Sequence, residues 1–145
     1  MTDMTAVHSR STGHPGYNVT RARVPETAEE ARDLARIALS AWGLQDEGET
    51  AVLLLSELVT NAVRHASGRS LRIVVDRPAS NRIFVAVVDR APGKWPQMRP
   101  PSVDADDGRG LVLVARLADR WGYTFLGPGR RPWGKKVWAE VKVSA

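Results

Sequence analysis

The 145 residues suffice for one domain with a buried core, and 43% apolar with 26% charged residues is the composition of an ordinary soluble globular chain. Cysteine is absent, which excludes disulfides and thiolate catalysis and leaves oxygen or imidazole donors for any metal. A formal charge of +5 raises nucleic acid as a partner, but 17 of the 21 basic residues are arginines scattered singly, so direct nucleic-acid binding is not expected.

Residues 1–15 are polar and rich in Ser, Thr, Gly and His, and read as a flexible N-terminal tail ahead of a single domain over 16–145. The opening MTDMTAVHSRSTGHPG lacks the apolar core of a secretory signal, and no run approaches the roughly 18 apolar residues of a membrane span. A cytoplasmic protein without membrane attachment is expected. Tyr17 to Val24 alternates loosely as a first strand. Pro25, Glu26 and Thr27 open a helix whose apolar face is Leu34, Ile37, Ala38 and Ala41, and Gly43 stops it. The loop LQDEGE leads to a second, longer helix from Gly48 to Ala66. Two strands follow, LRIVVDR from Leu71 and RIFVAVVD from Arg82, joined at Pro78-Ala79-Ser80-Asn81 as a hairpin turn. Arg90 to Gly108 is long, Pro-rich and without periodicity, a kind of segment that is usually functional or mobile inside a domain. GRGLVLVARLADRWG is read as a third helix, and Tyr123–Leu126 and Lys136–Val143 as closing strands. Helices and strands are segregated in the order β-α-α-β-β-loop-α-β-β, which favours a mostly antiparallel sheet with helices on one face.

The second helix carries the first functional signal. At 100° per residue, Leu58, Ala51, Ala62, Leu55, Val59, Val52 and Val63 cover about half its circumference. Thr60, Arg64, Glu57, Asn61 and His65 share a polar stripe between those flanks. Glu57 and Asn61 stand four residues apart and point to one place. A helix so widely buried rarely carries a carboxylate and an amide there unless they face a cavity or ligand; the competing reading is a solvated stripe. An amide carbonyl oxygen suits Mg²⁺, which takes few protein ligands and fills the rest with phosphate and water. A glutamate one turn earlier suits a general base for a hydroxyl or water attacking a terminal phosphate.

Two further segments share the pattern. Asp89-Arg90-Ala91-Pro92-Gly93 ends an apolar strand, where a carboxylate can accept from an exocyclic amine and small residues let a base approach; taken alone, Asp-x-x-Pro-Gly reads first as an ordinary turn. Asp106-Asp107-Gly108-Arg109-Gly110-Leu111 precedes an apolar helix, where open backbone N–H groups and the helix dipole favour a polyphosphate, or where an acidic residue simply caps the helix.

Together and in this order, these residues resemble the Bergerat-fold (GHKL, histidine-kinase-like) ATPases, and within them the small anti-sigma-factor serine/threonine kinase branch of actinobacterial type. SELVTNAVRHA is similar to that branch's N-box, VVDRAPG to its first glycine box, GRGLVLVARLADRWG to its second, and GKKVWAEV to its final strand, over residues 17 to 143. The resemblance implies an α+β two-layer sandwich, with a mostly antiparallel mixed sheet covered on one face by three helices. It implies ATP and Mg²⁺ as ligands, with Glu57 as general base and Asn61 as the metal ligand. Asp89 would read the adenine amino group, Ala91 and Gly93 would line the base pocket, and Gly108, Arg109, Gly110 and Leu111 would hold the phosphates. A sigma factor or an anti-sigma antagonist is the implied partner, in a probable-homodimer family of transcription regulators. Three departures stand out. Ala91 replaces the first glycine of the usual Asp-x-Gly-x-Gly, Lys136 stands where a threonine commonly helps hold adenine, and Asp106 and Asp107 fill the stretch where some kinases carry a basic residue. An ATP-responsive module that sequesters its partner without much catalysis is the alternative these departures imply.

Overall fold

A computed structural model describes residues 6–8, 14–90 and 109–144. Nine elements follow one another: β1 (Ala6–His8), β2 (Gly16–Ala22), α1 (Thr27–Trp42), α2 (Glu49–His65), β3 (Ser70–Ala79), β4 (Arg82–Asp89), α3 (Arg109–Leu117), β5 (Arg120–Leu126) and β6 (Gly134–Lys142). The strands form one sheet in the order β1-β2-β3-β4-β6-β5, giving an α+β fold. Every pairing among the described residues is antiparallel, so the mixed character expected of the sheet is not seen there.

Alternation along the strands builds the core. Register places Tyr17 opposite Val75 and Val19 opposite Ile73, then Val75 opposite Val85, and Val85 and Val87 opposite Ala139 and Val137. These positions therefore share one face of the sheet. They form a single apolar cluster with Leu34, Ala38 and Leu39 of α1 and Leu54, Leu55, Leu58 and Val59 of α2. The opposite face carries Phe84 stacked on Trp138 with ring centres 5.9 Å apart, and Arg82 paired with Glu140 at 3.2 Å.

α1 starts where the Thr27 hydroxyl donates to the Ala22 carbonyl at 2.5 Å. It ends at Gly43, whose φ of 72° is the left-handed conformation that glycine adopts without steric penalty. The N–H groups of Gly43 and Leu44 return to the carbonyls of Ser40 and Leu39, and Leu44 is buried beneath that turn. α2 packs between α1 and α3, and lies over β4 and β6.

Three boundaries differ from the sequence reading. Ala6–His8, inside the stretch read as tail, pairs antiparallel with Asn18–Gly16 of β2. The third helix stops at Leu117 rather than running to Gly122, because the Asp119 N–H donates to the Glu140 carbonyl at 2.9 Å while its carboxylate accepts from the Lys142 N–H at 2.6 Å. Those two bonds draw Arg120, Trp121 and Gly122 into β5. β6 begins at Gly134, two residues earlier than expected, which brings Lys135 into the sheet.

Candidate functional site

Glu57 and Asn61 lie on α2, both half-buried. One flank of the helix is fixed by α1, since Arg32 donates to the Ser56 hydroxyl at 2.8 Å and Arg36 pairs with Glu49 at 3.3 Å. At 100° per residue, Glu57 and Asn61 stand about 100° and 140° round the helix from Ser56, away from the α1 flank. With the sheet beneath and α1 on one side, their flank is the one toward α3. Leu54 and Leu58, both buried, continue the arc beyond Asn61, whereas Leu53 on the outward side is 40% exposed. The pair thus sits at the margin of the core. Neither side chain has a hydrogen-bond or ion-pair partner among the described residues.

α3 begins at Arg109, so Arg109, Gly110 and Leu111 are its first three residues and lie at its amino end, as the sequence pattern expects. Gly108, Ala91 and Gly93, expected at the phosphates and in the base pocket, lie outside the described residues.

Asp89 is the last residue of β4 and points inward with Ile83, Val85 and Val87. Register sets it directly opposite Lys135, whose Nζ donates to Asp89 Oδ1 at 3.1 Å, with the side chains 2% and 4% exposed. The partner of Asp89 is therefore Lys135, which lies one residue before the strand expected at Lys136–Val143 but within the GKKVWAEV stretch that resembles the family's final strand. Lys136, the departure where the family commonly has an adenine-holding threonine, pairs in register with Val88 and sits on the other face, its Nζ 5.9 Å from the centre of the Phe84 ring. The sign that would have found Lys135 is period-two alternation: a lysine in step with Val137, Ala139 and Val141 needs a carboxylate on the same face.

The exit of β4 is held by several groups at once. The Ser67 hydroxyl, just past α2, donates to the Arg90 carbonyl at 2.7 Å, and the Arg90 guanidinium lies 5.4 Å from the centre of the Trp133 ring. Gly134 is buried against the Asp89 carbonyl oxygen, where a Cβ would meet backbone. Gly134→Ala is accordingly expected to force β4 and β6 apart at this end and to cost about 1–3 kcal/mol, the usual penalty of overpacking, read as a lower urea midpoint. An unchanged midpoint would show that the strands have slack here.

The donor chemistry fits a magnesium-bound polyphosphate. Asn61 offers a neutral carbonyl oxygen and Glu57 a carboxylate, both hard oxygen donors. No three His, Cys, Asp or Glu side chains gather at metal spacing among the described residues.

The domain thus carries a polar pair on α2, a helix α3 that packs against α2 and starts at Arg109-Gly110, and a buried acid at the end of β4. The profile of the histidine kinase-like ATPase domain matches residues 21–139, and the chain belongs to that family. Membership implies ATP binding. No curated protein shows a significant match to the chain. No helix among the described residues is long and apolar enough to cross a membrane.

Proposed function

We propose that this chain is a Mg-ATP-binding regulatory protein of the anti-sigma-factor kinase type. It passes the terminal phosphoryl group of ATP to a serine or threonine hydroxyl of an antagonist protein in a partner-switching pathway. The observation that carries this reading is the half-buried Glu57/Asn61 pair, one turn apart on the flank of α2 toward α3. Glu57 takes the hydroxyl proton as the oxygen attacks the terminal phosphorus; the bond to the ADP oxygen breaks, leaving phosphoserine or phosphothreonine and ADP. Asn61 holds the metal through its side-chain carbonyl oxygen, and the ion, when bound, screens the phosphate charge. The amino end of α3, from Arg109, receives the phosphates on its open N–H groups. A sigma factor and its antagonist are the partners this reading calls for, with the chain acting in the cytoplasm as a homodimer.

Calorimetry with and without Mg²⁺ tests it. Wild type is expected to bind ATP more tightly with the metal, and Asn61→Ala to lose roughly 10- to 100-fold of that affinity, as for one bond to a charged group. Failure of the wild-type chain to take up adenine nucleotide at millimolar concentration would overturn the proposal.

A second reading rests on Asp106 and Asp107, acidic where a basic phosphate contact would favour turnover. In it, nucleotide occupancy controls sequestration of the partner and little phosphate is transferred. Partner capture that is indifferent to ATP and ADP would count against this version.

A further inference from the structure

Along β4 and β6 the inward face is apolar until its last rung, where Asp89 and Lys135 face each other. Cross-strand register, and not a flexible reach from a loop, places the lysine there. Its four-carbon stem crosses buried territory to deliver Nζ to Asp89 Oδ1 at 3.1 Å. Gly134 beside it lets the β6 backbone approach the Asp89 carbonyl closely, so carboxylate and main chain are both held by β6. Both residues make further contacts besides this ion pair.

We propose that Lys135 is a positioning residue of the base site, fixing the orientation of the Asp89 carboxylate toward the exocyclic amine of a purine. The proposal rests on the ATP reading above. An ionised carboxylate has about four lone-pair positions, so the bond from Lys135 and a further contact still leave room for an incoming N–H. A carboxylate free to rotate about its last bond would lose part of the selectivity that a fixed one gives, because the bond to the amine depends on direction. Lys135 therefore acts on nucleotide choice through Asp89. Lys136, on the other face over Phe84, has no such role.

The test compares ATP with purine riboside triphosphate, which carries hydrogen in place of the 6-amino group. Wild type is expected to prefer ATP by roughly tenfold or more. Lys135→Met is expected to reduce that ratio below about threefold, and Lys135→Arg to restore most of it. A loosened fold would weaken both nucleotides alike and leave the ratio intact, which would overturn the proposal. Should Lys135→Met not fold by circular dichroism, the full-length wild-type chain labelled with ¹⁵N-lysine carries the test. The Lys135 ammonium resonance, assigned by its loss in Lys135→Arg, is expected to shift with ATP and to stay in place with the analogue. Equal shifts with both nucleotides, or none with either, would remove the assignment. Wild type that binds neither nucleotide defeats the ATP reading itself. Wild type that binds both equally leaves that reading standing and removes only the role given to Asp89 and Lys135.

Discussion

Glu57→Ala is expected to lower phosphoryl transfer to a partner hydroxyl by roughly 10²- to 10⁴-fold, the range of a positioned general base. Stability and ATP affinity should change little. The reason lies in where the side chain sits: half-buried at the edge of the core, with no hydrogen bond or ion pair among the described residues, so its removal orphans no buried partner there. A residue of this kind ordinarily costs within about 0.5 kcal/mol when truncated. Transfer from labelled ATP, circular dichroism and calorimetry read the three quantities separately. Glu57→Gln keeps the shape and loses the basicity, and should match the alanine variant in rate. Transfer that survives both substitutions would remove Glu57 as the base; a collapse in ATP affinity would make it a ligand contact instead.

Much of this site could be read from the sequence because its helical part obeys a simple period. The arc of Ala51, Val52, Leu55, Leu58, Val59 and Ala62 is buried as the 100° spacing predicts, and that spacing alone sets Glu57 and Asn61 on one flank. Leu53 shows the limit: it follows Val52 in an unbroken apolar run, yet faces outward at 40% exposure. The sheet was legible as strands, whereas its contacts were not, since register depends on partners far along the chain. β1, Ala6-Val7-His8, is only three residues long and lies in an otherwise polar stretch, too short to signal itself, and its pairing is set by Gly16 to Asn18 of β2. The early end of α3 was hidden for the same reason, because the apolar spacing of GLVLVARLA continues while Asp119 is captured by Glu140 and Lys142 on β6. Lys135 falls one residue outside the closing strand expected at Lys136–Val143, so the alternation of that strand does not reach the partner of Asp89.

Breaking the Asp89–Lys135 pair from one side should be the most destabilising single change at the site. Lys135→Met takes the ion-pair partner from a carboxylate 2% exposed, and Asp89→Asn takes it from an ammonium 4% exposed; each keeps its further contacts, and each change is expected to cost at most about 3–5 kcal/mol, read from urea unfolding. The double variant Asp89→Asn/Lys135→Met strands no charge and should return to within about 1 kcal/mol of wild type, because a buried ion pair often does no better than uncharged groups of similar volume. A double variant as unstable as the singles would trace the loss to packing rather than to the broken ion pair. Singles as stable as wild type would mean that water reaches the pair. If the double variant is restored in stability yet still fails to discriminate ATP from its 6-hydrogen analogue, the two roles separate. Stability alone then gives no reason for an ion pair at the end of an otherwise apolar stretch of β4 and β6, and recognition of a base at the end of β4 supplies one.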